Sequence, residues 1–211
     1  MKLIKELVEK GGQVLFLLPE ISITSQMVNR FRNFFPNSVQ VYHSKFNLNE
    51  RTEIWKNIYK GDKNAQVIIG ARSSLFLPFK KLDLIVVDEE HEKSYKQFDP
   101  APRYHARDAA IYLSKILNSN IILGSATPSL ESIVNVNKKK YGIVYLKERY
   151  GGVKPPEISI IDLKDSYKRK LTRGDFSIDL INGITDTLEK GKQIILFQNR
   201  RGYAPVLECF T

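Results

Sequence analysis

The sequence predicts an α/β fold: a parallel sheet with helices on both faces. Three observations carry that reading. Short apolar runs rich in Val and Ile alternate with longer segments of helical period, and this βαβα order demands crossover connections between parallel strands. Several of the runs, such as Leu84-Ile85-Val86-Val87, are continuously apolar, as strands buried on both faces are. The distinctive polar motifs all follow predicted strand ends, where open parallel sheets bind their ligands.

Taken in order, Met1-Lys2-Leu3-Ile4-Lys5-Glu6-Leu7 reads as an amphipathic helix without the apolar core or cleavage site of a signal peptide. Gly11-Gly12 closes it as a helix-end turn. Strands are expected at 14–18, 66–69, 84–87, 120–123, 158–161 and 193–197. Helical patterns fill 25–35, 49–59, 106–118, 129–137 and 178–190. Residues 138–173 change character, with Lys138-Lys139-Lys140, Pro155-Pro156 and a polar run over 164–172. They read as a connector holding one or two strands. Gly191 caps the last long helix, and 194–197 opens a new unit. The expected divisions are therefore 1–140, a connector 141–190, and 191–211.

The 211 residues suffice for one domain and part of a second, and a 42% hydrophobic fraction supplies a core. No run of about 18 apolar residues occurs, so no membrane span is expected. The single cysteine, Cys209, excludes an internal disulfide framework and fits a reducing cytosol. Net charge is +10, from 33 basic and 23 acidic residues. A polyanionic partner is one inference; ordinary solubility charge is the other.

Asp88-Glu89-Glu90-His91 directly follows the apolar run 84–87. Four ionisable residues at a strand's end are solvated or functional. Phosphoryl transfer needs a carboxylate to hold Mg²⁺ and a second group to orient the attacking water; Asp88 fits the first role and Glu89 the second. His91 would relay between nucleotide and nucleic acid. The bland alternative is an exposed acidic turn. Gly124-Ser125-Ala126-Thr127-Pro128 leaves another apolar strand. Its small residues permit close approach, and Ser125 and Thr127 can bond to the carboxylate motif. Thr127 also reads as a helix cap with Pro128 at the first position.

The loop 91–107 interleaves Tyr95, Phe98 and Tyr104 with Lys93, Lys96, Arg103 and Arg107. Aromatic faces stack on unpaired bases while cations track the backbone; otherwise the loop is a surface segment anchored by its aromatics. Leu18-Pro19-Glu20-Ile21 and Gly70-Ala71-Arg72-Ser73-Ser74 each follow a strand, and Arg72 and Ser73 could meet phosphates. Asn199-Arg200-Arg201-Gly202 reads as a phosphate-facing or interdomain loop. Cys209 is either an apolar filler or the start of a C-x-x-C pair. An NTP-driven nucleic-acid motor is the leading reading.

These motifs, in this order, resemble the PriA family of replication-restart helicases (primosomal protein N′), within the superfamily 2 DNA helicases. Leu18-Pro19-Glu20-Ile21-Ser22-Ile23-Thr24-Ser25-Gln26 resembles motif Ia, and Gly70-Ala71-Arg72-Ser73-Ser74-Leu75-Phe76 motif Ib. Asp88-Glu89-Glu90-His91 resembles the DEEH Walker B box. Ser94-Tyr95-Lys96-Gln97 through Arg107-Asp108 resembles the aromatic-rich loop. Gly124-Ser125-Ala126-Thr127-Pro128-Ser129-Leu130-Glu131-Ser132 resembles motif III, and Asn199-Arg200-Arg201-Gly202-Tyr203-Ala204-Pro205 motif IV. The similarity covers nearly the whole chain.

The resemblance implies a RecA-like P-loop NTPase lobe over 1–140, incomplete without its phosphate-loop strand. A second RecA-like lobe would start at 191–211 and lead into a zinc-binding insert with Cys209 as first ligand. It implies an ATP- and Mg²⁺-dependent DNA helicase moving 3′→5′ at stalled forks. Catalytic or cofactor-binding roles fall to Asp88, Glu89, Glu90 and His91. DNA contacts fall to Arg72, Ser73, Tyr95, Lys96, Phe98, Arg103, Tyr104 and Arg107. Coupling falls to Ser125 and Thr127, and motif IV to Asn199, Arg200 and Arg201. Primosome proteins and single-stranded-DNA-binding protein are the implied partners, in a bacterial cytoplasm at the nucleoid. No G-x-x-x-x-G-K-[ST] sequence occurs in the 211 residues, so the chain is expected to be an internal helicase fragment that hydrolyses ATP negligibly alone. Two rival readings remain: a non-catalytic single-strand-binding fragment, and a misfolded truncated product with an aggregation-prone sheet edge.

Overall fold

The computed structural model describes residues 1–43 and 46–197. Contacts divide the chain into two units, Met1–Val144 and Tyr145–Thr211.

In the first unit the order is α1 (Lys2–Glu9), β1 (Gln13–Leu17), α2 (Ser25–Phe34), β2 (Val39–Tyr42), α3 (Leu48–Lys60), β3 (Val67–Gly70), β4 (Leu82–Val87), α4 (Ala106–Ile116), β5 (Asn120–Leu123) and α5 (Leu130–Asn137). The strands form one sheet in the order β2-β3-β1-β4-β5, and every pairing is parallel. Side chains alternate between two cores, as the strand period of two dictates. Val14, Val67, Ile69 and Leu84 meet Ile4 of α1, Phe31 of α2 and Phe35 just after it on one face. Leu15, Leu17, Ile68, Ile85 and Val87 meet Ile54 and Ile58 of α3 and Ala106 and Ala110 of α4 on the other. The expected sheet with helices on both faces is what forms.

Local signals fix the element ends. Gly11 takes φ +74° after α1, and Gly12 N–H reaches Leu7 O at 3.0 Å, the left-handed stop that glycine allows most cheaply. Asn47 and Glu50 close a reciprocal capping box on α3, both bonds 2.9 Å. Gln13, 2% exposed, joins three segments. Its amide donates to Ile58 O and Ala65 O, and its Oε1 accepts from Lys80 and Lys81 N–H. A buried amide is stable only when satisfied in this way.

Two features were not expected. Strand β2 (Val39-Gln40-Val41-Tyr42) has Gln40 inside it, which breaks the apolar run that marks β3 and β5. Its ladder with β3 (Val41↔Ile69) holds it. Helix α5 is capped by Ser129, whose Oγ accepts from Ser132 N–H at 3.3 Å, and not by Thr127.

The second unit holds α6 (Leu163–Lys168), β6 (Thr172–Arg173) paired antiparallel with β7 (Phe176–Ser177), and α7 (Ile178–Glu189). The expected strands at 158–161 and 193–197 do not form. Ile160 is 93% exposed and Ile195 95%, and among the described residues no strand lies beside either segment. Extended backbone without a ladder leaves its N–H and C=O groups to water. Part of the polar run expected to be connector is α6, started by Asp162 accepting from Lys164 N–H at 2.8 Å. Among the described residues, no helix is long and apolar enough to cross a membrane.

Candidate active site

Strand β4 delivers Asp88 to the carboxyl edge of the sheet, its N–H bonded to Leu17 O at 3.0 Å. The chain then turns through Glu89, at φ +50°. A non-glycine residue in that region costs on the order of 1–3 kcal/mol. Bonds on either side hold it: Glu90 N–H to Gly124 O at 3.0 Å and Glu92 N–H to Glu89 O at 2.8 Å. Asp88 Oδ1 accepts from Glu89 N–H at 3.1 Å. Gly124 lets the neighbouring loop come close, since a Cβ there would stand 3.4 Å from Asp88 Oδ1.

His91 ties this turn to the motif after β5. Its Nδ1 lies 2.7 Å from Ser125 Oγ, and its Nε2 lies 3.3 Å from Thr127 Oγ1. Nδ1 also lies 3.6 Å from Glu89 Oε2. The hydroxyls of Ser125 and Thr127 therefore meet the carboxylate motif through His91.

Glu90 faces the other way. Expected at the reaction centre, it is instead 1% exposed. Its Oε1 accepts from Ser129 N–H at 2.7 Å. Its Oε2 accepts from Ser129 Oγ, Ser132 Oγ and Arg107 Nη1 at 2.9, 2.9 and 3.1 Å. Burial alone would raise its pKa; the Ser129, Ser132 and Arg107 bonds outweigh burial and hold the carboxyl below its ordinary value. A carboxylate filled in this way has no site left for substrate, so it is an anchor.

Arg107 is corrected with it. Expected on nucleic acid, it is 6% exposed. Its Nε donates to Asp108 Oδ1 at 2.9 Å, and Glu131 Oε2 stands 3.7 Å from Nη1. Tyr95 is the third correction. At 1% exposure it cannot stack on a base. Its hydroxyl lies 2.7 Å from Asp88 O and 3.1 Å from Leu17 O, between the ends of β4 and β1. Burial, with Asp88, Glu89 and Glu92 nearby, pushes its phenol far above the usual range. The alternation of aromatic and basic residues conceals which of them point inward.

From Tyr95 the chain leaves as a tight loop. Lys96 bridges His105 antiparallel, and Gln97 N–H donates to Tyr104 O at 2.9 Å. Lys96 Nζ is taken by Arg103 O at 2.7 Å. Arg72, also expected on phosphates, uses Nη1 to hold Ser94 O and Lys96 O at 3.1 and 3.0 Å. Ser73 beside it is half-buried. The loop presents Phe98, 69% exposed, and exposed Arg103. Tyr104 packs edge-on to Phe76 at 5.1 Å. Burial raises the Tyr104 pKa, and Arg72 opposes that rise. Phe76, 66% exposed, belongs to this face; within the apolar run Leu75-Phe76-Leu77 it reads as core. Asn199, Arg200, Arg201 and Cys209 lie outside the described residues.

The model of the DEAD/DEAH box helicase family matches residues 1–136. The chain is similar to replication restart protein PriA of Bacillus subtilis (strain 168), at 40% identity over 206 residues, covering 98% of this chain and 25% of that protein. The PriA of Rickettsia felis is 45% identical over 98% of this chain and 31% of its own length. That of Haemophilus influenzae is 44% identical over 99% and 28%. The chain thus spans 25–31% of the length of these curated relatives. With the family model matching 136 of the 211 residues, the chain belongs to the DEAD/DEAH box helicase family.

Proposed function

We propose that this chain forms the magnesium-holding and strand-contacting part of an ATP-driven DNA helicase. The machine moves 3′→5′ in primosome assembly and restart of stalled forks. The observation that carries the proposal is the split of the carboxylate motif: Asp88 and Glu89 stand at the sheet's open edge while His91 is bonded to Ser125 and Thr127.

Magnesium keeps several waters and takes one or two carboxylates together with substrate phosphates. Asp88 suits that demand, since only Glu89 N–H occupies its Oδ1 among the described residues. Bound Mg²⁺–ATP supplies charge neutralisation on the transferring phosphoryl group. Glu89, side chain 48% exposed, orients water. His91 carries the position of Ser125 and Thr127 to that turn. Phe98, Phe76 and Tyr104 stack on bases, and Arg103 meets phosphates. Primosome proteins and single-stranded-DNA-binding protein act on the larger machine, with zinc at Cys209 in its insert. With no G-x-x-x-x-G-K-[ST] sequence present, the chain alone hydrolyses ATP negligibly.

Two measurements test this. Anisotropy of a labelled single strand across a salt series should report salt-sensitive binding, weakened about tenfold by Phe98→Ala and more weakly by Arg103→Ala. No binding by a chain whose circular dichroism shows it folded would overturn the strand-contacting role. Phosphate release with ATP and DNA should stay at background; DNA-stimulated turnover would overturn the inactivity.

A further inference from the structure

Helix α3 carries an apolar stripe that the fold does not use. Its inward face buries Ile54 and Ile58, at 8% and 0% exposure, while Leu48, Trp55 and Tyr59 remain 76%, 44% and 62% exposed. Positions 48, 52, 55 and 59 recur at helical spacing, so Thr52 joins them on one side. The Trp55 and Tyr59 rings stack on each other, centroids 5.4 Å apart and planes 15° from parallel. Large aromatics left in water on a helix face mark an interaction site.

The charges around the stripe have one sign. Arg51 flanks it on one side, held over the Tyr42 ring at 5.7 Å and bonded to the Tyr42 hydroxyl. Lys56 and Lys60 flank it on the other, both exposed. Lys80 reaches the same helix end, its Nζ 3.3 Å from Lys60 O. The helix's own carboxylates are turned away. Glu50 closes the capping box on Asn47, and Glu53 sits beside Gln40, Phe46 and Asn57.

We infer that this face of α3 is a second platform for single-stranded nucleic acid, separate from the loop at Phe98. A near-parallel ring pair leaves flat outer faces for bases, and the flanking cations supply the phosphate contacts that such platforms combine with stacking. Leu48 to Tyr59 spans about 16 Å along the axis, room for a few nucleotides. The platform does not belong to the carboxylate edge: Lys80 precedes β4 and Asp88 follows it, a strand length of roughly 20 Å.

Trp55 is the only tryptophan of the chain, so its emission reads the platform directly. Titration of the whole chain with oligothymidylate should quench that emission saturably and less at high salt. Lys56→Glu, at an exposed position, and Tyr59→Ala should each weaken the quenching by about fivefold or more. Phe98→Ala should leave it unchanged. Three results would overturn the platform: strand binding by anisotropy with no change in Trp55 emission, quenching abolished by Phe98→Ala, or equal quenching by an abasic strand. Quenching by an Asp/Phe-rich peptide but not by oligothymidylate would assign the face to an acidic protein instead. Anisotropy reports binding anywhere on the chain and emission reports α3 alone, so the Phe98→Ala and Tyr59→Ala variants, each read both ways, let either site fail without the other.

Discussion

Glu90 Oε2 and Arg107 Nη1 lie 3.1 Å apart with both side chains buried. The pair joins the turn after β4 to the first turn of α4, and Ser129 and Ser132 extend it to α5. Breaking a buried pair from one side leaves an uncompensated charge. Glu90→Ala should therefore destabilise the fold by about 3 kcal/mol, with Asp108 and Glu131 still beside Arg107. Urea denaturation measures this; a change below about 1 kcal/mol would mean that the network is not formed in solution.

The same carboxylate sets a pH dependence. Its folded pKa lies below the ordinary value of 4.5. The stability it contributes is complete above that value and is lost as pH falls through it toward the lower folded value. Denaturation midpoints of the wild type should drop on acidification below about pH 4.5 more steeply than those of Glu90→Gln. Parallel curves would show that Glu90 titrates alike in both states.

Two neighbouring aromatics should respond oppositely. Tyr95→Phe removes the hydroxyl between Asp88 O and Leu17 O and should cost about 1–2 kcal/mol of stability. Phe98→Ala, at an exposed ring, should change stability by no more than about 0.5 kcal/mol while weakening strand binding about tenfold. Equal losses of binding from the two would contradict the burial of Tyr95.

The contact between His91 and Ser125 is measurable as a coupling. A double-mutant cycle of His91→Ala and Ser125→Ala, read by denaturation, should give about 1 kcal/mol of interaction. Additive effects would show the two motifs to be independent in the free protein.

The sheet was legible because burial on both faces wrote apolar runs at β1, β3 and β4, while β5 was legible from the composition of Ile121-Ile122-Leu123 although Ile122 is 43% exposed. Strand β2 was not, because Gln40 interrupts its apolar run and its order comes from the ladder with β3. Segments 158–161 and 193–197 read as strands for the converse reason: apolar composition without a neighbour to pair with among the described residues. At the site, Asp88 and His91 followed from position at a strand end. Glu90, Arg107 and Tyr95 did not. Adjacent residues in a turn point in different directions, and a charged or phenolic group gives no sign in the sequence of whether a partner waits inside. Ser129 and Ser132, which decide the inward course of Glu90, lie 39 and 42 positions further on.

The loop over 96–105 is tied at both roots. Tyr95 is locked beneath one leg, Arg107 is pinned just past the other, and the Lys96–His105 bridge draws the legs together. Ordering a free loop around a ligand sets a conformational-entropy loss against the attraction of the groups that meet. Here most of that loss is borne by folding, before any strand arrives. On the proposed reading, Phe98 and Arg103 meet nucleic acid as a preshaped edge, and a shallow face with little surface to offer holds a strand that a slack loop of the same composition would release.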